Sequence, residues 1–146
     1  MENQKTTQTT LMTATLIKYN QITEEKIQEL AEENYAQDDM YAFIEEYGQD
    51  AFVQFYEEYV TFGEDHCYEA VDAFIDAFGI DCLASFEDAY YGQYDSEEEF
   101  SEQFVGDAYS NQLQDLPIVI DWTATWETNL RYDFTFNEGF VFNSNF

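Results

Sequence analysis

Carboxylates three or four residues apart recur along the chain: Glu25/Glu29, Glu29/Glu32, Glu29/Glu33, Asp65/Glu69, Asp72/Asp76 and Glu98/Glu102. On a helix such neighbours stand about 5 to 6 Å apart between Cβ atoms. Three chemistries are open to carboxylates at that separation. They can divide acid and base roles in a hydrolysis, chelate a hard cation, or present fixed negative charge to a basic surface. With 32 Asp and Glu in 146 residues, any one pair is weak grounds for a hydrolase. The acidic runs lack the alternating oxygen ligands, central Gly and final Glu of a calcium loop. His66 stands beside Cys67 and could join Cys82 and an acid around zinc, but the sequence has no second His and no C-x-x-C, and the two thiols are expected to be buried. A Gly-rich phosphate loop is also missing. The expectation is a protein with no catalytic residues, no metal and no cofactor. A carboxylate-rich cation-binding protein or hydrolase remains the alternative from a different class.

Charge decides among partners. Four Lys and Arg against the 32 acids leave a formal charge of -28, which repels nucleic acid and anionic lipid and attracts basic surfaces. A disordered acidic tail reaches such charge with little apolar content, whereas 45% of these residues are hydrophobic, with 12 Tyr and 14 Phe. The chain can therefore bury a core beneath its acids. Several acids are expected in last helical turns: Glu45 and Glu46 before Gly48, Glu57 and Glu58 before Gly63, and Asp76 before Gly79. Each such placement opposes the helix dipole by about 0.3 to 1 kcal/mol at low salt. A sequence shaped only for stability would not keep them, so the negative surface is expected to serve a function.

The spacing of the paired acids resembles the repeat of phosphates along a nucleic-acid backbone. Twenty-eight charges correspond to about 48 Å of duplex at one charge per about 1.7 Å. The acids expected to mimic phosphates and meet a basic partner are Glu25, Glu29, Glu32, Glu33, Asp38, Asp39, Glu45, Glu46, Glu57, Glu58, Asp65, Glu69, Asp72, Asp76, Glu87, Asp88, Glu98 and Glu102.

The elements that position these acids follow from apolar periodicity and punctuation. Residues 1–20 read as a flexible segment, with a possible strand from Leu11 to Tyr19. Thr23 is the expected N-cap of a helix over 24–35, with Ile22 and Ile27 as a hydrophobic staple and Ile27, Leu30 and Ala31 facing inward. Asp38 or Asp39 caps the next helix, whose stripe is Met40, Phe43, Ile44 and Tyr47 and which Gly48 ends. Asp50 opens a third with Phe52, Phe55, Tyr56 and Tyr59, stopped near Gly63. A fourth runs from about Asp65 through Tyr68, Val71, Phe74, Ile75 and Phe78 to Gly79. Residues 42–59 and 73–90 form an internal repeat with identities at Ala42/Ala73, Phe43/Phe74, Ile44/Ile75, Gly48/Gly79, Asp50/Asp81, Phe55/Phe86 and Tyr59/Tyr90. In each copy a helix ends at Gly and the Asp caps the next.

The pattern changes after Tyr90. Tyr90, Gly92 and Tyr94 alternate as a strand, and Ser96-Glu97-Glu98-Glu99 matches a capping box for a helix burying Phe100, Phe104 and Ala108. Ile118-Val119-Ile120 after Pro117 is a candidate buried strand. Trp122, Trp126 and Leu130 suggest a short helix, and Tyr132 to Phe142 around Asn137-Glu138-Gly139 a β-hairpin. The expected fold class is α+β, with an N-terminal acidic helical bundle followed by a small α+β domain with a C-terminal hairpin. The expected boundaries are a flexible segment 1–20, an acidic helical domain 21–90 and an α+β domain 91–146. No apolar run approaches the roughly 18 to 20 residues of a membrane span and the N-terminus lacks a basic region followed by an apolar stretch, so a cytosolic protein is expected.

Phe86-x-x-Ala89-Tyr90-x-Gly92-x-Tyr94-x-Ser96-x-x-x-Phe100, then Asp115-Leu116-Pro117, Ile120-Asp121-Trp122, Asn129-Leu130 and the terminal Phe140-Val141-Phe142 resemble the ArdA antirestriction family. Those proteins, carried by phages and mobile elements, are acidic dimers that mimic bent DNA and occupy the DNA-binding groove of type I restriction-modification enzymes. The resemblance covers roughly residues 40–146. It implies a DNA-mimic inhibitor and a homodimer, with Asp115, Leu116, Pro117, Phe140 and Phe142 at the dimer contact. The family's additional N-terminal α/β domain has no counterpart in residues 1–20, and Thr128-Asn129-Leu130 stands where the family has Arg-Asp-Leu. A shorter mimicked stretch is therefore implied. Another DNA-binding machine, such as a CRISPR effector or nucleoid protein, is the alternative target.

Overall fold

The computed structural model describes residues 19–113 and 117–146. Seven helices, α1 (Gln21–Glu32), α2 (Gln37–Tyr47), α3 (Gln49–Asp65), α4 (Tyr68–Phe78), α5 (Phe86–Ala89), α6 (Glu97–Leu113) and α7 (Trp122–Thr128), accompany three strands among the described residues: β1 (Tyr90–Gln93), β2 (Phe134–Asn137) and β3 (Phe140–Asn143). The fold class is α+β with a C-terminal hairpin. Two compact units divide the chain, one reaching Tyr56 and the other spanning Glu57–Phe146, so α3 passes from the first into the second. Among the described residues no helix is long and apolar enough to cross a membrane.

In the first unit the i, i+3, i+4 stripes bury Ile27 and Leu30 of α1, Met40, Phe43 and Ile44 of α2, and Phe52 and Tyr56 of α3. The Phe43 ring meets Tyr47 at 4.8 Å and the edge of Tyr56 at 5.2 Å. Asn20, not Thr23, caps α1: its Oδ1 accepts from the Thr23 N–H at 2.8 Å, and Asn20 N–H itself donates to Gln49 Oε1 at 2.8 Å. Starting three residues earlier turns Thr23 inward, where it is fully buried, and leaves Ile22 65% exposed, so the staple does not form. The expected flexible segment and strand lie outside the described residues apart from Tyr19 and Asn20.

The repeat is realised in its first halves and lost in its second. Both α2 and α4 are 11 residues long, and each ends at a Gly with φ +97° whose N–H donates to an Ile carbonyl, Gly48 to Ile44 at 2.8 Å and Gly79 to Ile75 at 2.7 Å. A single glycine closes one helix and opens the next, since Phe52 N–H donates back to Gly48 O and Cys82 N–H to Gly79 O. Asp38, Asp39, Asp50 and Asp81 are therefore first-turn residues near the positive helix end and not caps. After Gly48 the chain makes the 17-residue α3, whereas after Gly79 it makes a short 3-10 stretch, Ile80–Ser85, and then α5. Gly63 does not stop α3. It lies buried inside the helix with the Tyr68 ring packed where a Cβ would stand, and α4 consequently starts at Tyr68 instead of Asp65.

In the second unit the sheet has the order β1-β3-β2, all antiparallel. Its turn residues Glu138 and Gly139 have φ of 52° and 88°, the paired positive values of a two-residue hairpin. Aromatic layers cover both faces. Phe142 meets Phe74 at 5.4 Å on one side, while Val141 packs with Phe100, Trp126 and Phe134 on the other. Burial of each such Phe contributes about 1.5 to 3 kcal/mol. The capping box forms with a shift: Glu99 N–H donates to Ser96 Oγ at 3.0 Å, and Glu99 Oε1 accepts from Asp95 N–H, one residue before the Ser. Along α6, Phe100 is buried and Phe104 partly so, but Ala108 is exposed next to the non-helical Tyr109. Ile118-Val119-Ile120 forms no strand. Ile118 is 56% exposed and Val119 fully so.

Candidate protein-binding surface

No Asp or Glu among the described residues is buried, and of the acids expected to face a partner only Glu58, Asp72 and Glu98 are even partly covered. Their placement follows from amphipathicity, since the apolar stripes take one side of each helix and leave the acids the other. On α1, Glu25, Glu29 and Glu32 occupy successive turns of the exposed side, with Glu33 as the C-cap. On α2, Asp38 and Glu45, and likewise Asp39 and Glu46, are seven residues apart, about 10.5 Å along the axis. Glu87 and Asp88 stand in α5, and Glu98 and Glu102 on α6. Asp65 and Glu69 do not form a pair on one helix, because α3 ends at Asp65 and α4 begins three residues later. Glu57 and Glu58 are mid-helix residues of α3, and the last-turn acids there are Glu64 and Asp65.

Basic partners are few. Lys26 Nζ lies 3.9 Å from Glu29 and Arg131 Nη1 3.9 Å from Glu127, both long contacts that leave charge largely uncompensated. No helix from α1 to α4 carries a basic residue in its last turn. Some acids have internal work. Tyr59 OH donates to Asp72 at 2.8 Å, Asn137 Nδ2 to Asp76 at 3.1 Å, Gln21 Nε2 to Glu25 at 3.0 Å, and Thr123 Oγ1 to Glu98 at 3.0 Å. The Glu98 carboxyl is held below its ordinary value by its own backbone N–H and then by Thr123, with burial opposing them and Ser96 adding a lesser pull. Asp72, Asp76 and Glu98 are thus structural as well as charged.

His66 Nε2 sits 3.2 Å from Glu87 Oε2, with its ring edge-on to Phe86 and Tyr90. Cys67 precedes α4 and Cys82 lies in the 3-10 stretch, both free and partly exposed instead of buried. Among the described residues no three His, Cys, Asp or Glu side chains converge as a metal site. Of the residues expected at a dimer contact, Asp115 and Leu116 lie outside the described residues and Pro117 is exposed. Phe140 and Phe142 are 5% and 0% exposed in the central strand, committed to the monomer's own core.

One feature of this surface escaped the sequence reading. Tyr91, Tyr94, Phe100, Gln103, Phe104 and Asp107 line an open groove of about 320 Å³ between β1 and α6. Gly92 inside a strand was the available signal, because isolated strand glycines mark bulges that redirect neighbouring side chains. Comparison with protein-family models, curated proteins and solved structures finds no match to this chain.

Proposed function

We propose that the protein is a non-catalytic DNA mimic that occupies the DNA-binding groove of a bacterial type I restriction-modification enzyme, acting as an antirestriction inhibitor in the host cytoplasm. One observation carries the reading: of 30 described acids none is buried and 24 are held on helices α1 to α7, in a chain with only four Lys and Arg. A folded polyanion of this kind competes for the same cationic groove as duplex DNA, and the partner's gain is the electrostatic one that phosphates supply. The likeness of residues 86–142 to the ArdA pattern supports the choice of target and of a homodimer.

The test is displacement of a fluorescently labelled duplex from a type I restriction-modification enzyme, followed by anisotropy. The protein is expected to release the duplex at low salt and to lose affinity steeply as NaCl rises. Glu25→Gln, Glu29→Gln and Glu32→Gln combined should weaken the competition. No displacement at low salt, or an affinity indifferent to salt, would overturn the proposal. Displacement from a CRISPR effector or nucleoid protein alone would transfer it to that target.

A further inference from the structure

We propose that the groove between β1 and α6 receives an arginine side chain of the basic partner, an inference that rests on the proposed function and specifies one contact within it. The groove is built by a bulge. Tyr90 pairs with Phe142 and Gly92 with Val141, so two residues of β1 advance against one of β3 and Tyr91 is the extra residue. Gly92, at φ +120°, supplies the conformation that this requires. Tyr91 is thereby turned to the α6 side, edge-on to Phe134 at 5.0 Å and to Phe100 at 6.2 Å, yet 43% exposed. Phe100, only 1% exposed, forms the floor, and Phe104 stacks beside it at 5.6 Å. Tyr94 closes the other rim, its hydroxyl donating to Tyr91 O at 3.2 Å.

Aromatic faces attract a cation through their quadrupole, and a planar guanidinium also stacks on them. Asp107 and Gln103 line the same groove and supply acceptors for guanidinium N–H groups. Asp107 faces the Tyr94 phenol closely enough to help burial push that phenol up, which marks an anionic end to the groove. Shape and charge together select a flat cation over an aliphatic anchor, and a volume of about 320 Å³ accommodates one side chain. On the exposed face of an acidic helix such as α1 an arginine would meet carboxylates alone, where a surface pair contributes little. This groove converts a diffuse attraction into a fixed position.

The probe is the peptide acetyl-Gly-Arg-Gly-amide, titrated into the full chain by NMR, with the neutral citrulline isostere as control. Saturable shifts at Tyr91, Tyr94 and Phe104 with the arginine peptide, and markedly weaker ones with citrulline, are expected. Tyr91→Leu and Asp107→Asn should each weaken binding roughly two- to fivefold. Asp107 is exposed, so D107N keeps the test sharp should Y91L unfold. Equal citrulline binding, or shifts spread over the acidic helices without saturation at the groove, would overturn the proposal. Duplex displacement without peptide binding overturns the groove and leaves the DNA-mimic reading standing. Groove binding without duplex displacement supports the groove and overturns that reading.

Discussion

The side-chain amide of Asn137, the last residue of β2, donates to the Asp76 carboxylate at 3.1 Å and to the Ala73 carbonyl at 2.9 Å. Asp76 lies in the last turn of α4, where its charge opposes the helix dipole. Asn137 offsets that and fastens the hairpin to the helix. Asn137→Ala is expected to destabilise the fold by about 0.5 to 1.5 kcal/mol, since the Ala73 carbonyl loses the second donor it has beyond its helical one and Asp76 loses its amide. Urea unfolding measures it. An unchanged midpoint would mean that water replaces the amide without cost.

Glu45 and Glu46 provide the contrast. They occupy the last turn of α2, which contains no basic residue, on a chain whose formal charge is -28. Glu45→Gln and Glu46→Gln should each raise stability by about 0.3 to 1 kcal/mol at low salt, with the gain shrinking as salt screens the dipole. The melting temperature of the unmodified protein should rise with NaCl for the same reason. If these acids face a partner, the stabilised variants will compete less well for the enzyme, so stability and inhibition should move in opposite directions. A joint gain in both would argue against a functional role for the α2 acids.

Element types were legible where periodicity was long or turn chemistry specific. The stripes of α2 and α4, the hairpin at Glu138-Gly139 and the Ser96 cap all rest on local rules that the tertiary fold leaves intact. The errors came where a distant contact overrode a local signal. Gly63 reads as a stop, but the Tyr68 ring needs the space that glycine leaves inside α3. Thr23 reads as a cap, yet Asn20 is tied by Gln49 and takes that role first. Ile118 and Val119 read as a buried strand, but among the described residues the sheet is made by β1, β3 and β2 alone and both side chains stay exposed. Exposure of the acids followed from amphipathicity. Their internal bonds, and the groove at Tyr91, depend on which elements meet, which no local pattern encodes.

Gly48 and Gly79 should respond alike to substitution. Both adopt φ +97° with ψ of 165° and 153°, a region almost confined to glycine, and neither has an atom within 4 Å of a built Cβ. The penalty for Gly48→Ala or Gly79→Ala is therefore conformational, about 1 to 3 kcal/mol each, without any clash. Gly106, inside α6 with equally open space and no positive φ, should behave oppositely, Gly106→Ala stabilising by up to about 1 kcal/mol. Chemical denaturation of the three variants distinguishes backbone strain from packing. Equal responses at Gly79 and Gly106 would contradict the assigned conformations.

Acid titration tests the bridge between α6 and α7. Because the Glu98 carboxyl is held below its ordinary value near 4.5, its stabilising contribution is complete above that pH and is lost as pH falls through the folded-state value. Its own N–H remains in any Thr123 variant, so Thr123→Val should raise the folded-state value only part of the way back. The stability difference between wild type and T123V should accordingly be larger at pH 6 than at a pH below the folded-state value, where Glu98 is protonated in both. Carboxyl carbon NMR gives the titration directly, and urea midpoints at the two pH values give the linkage. A Glu98 midpoint identical in both proteins would show that the hydroxyl does not hold the carboxylate, and that the α6 acid is as free to face a partner as Glu102.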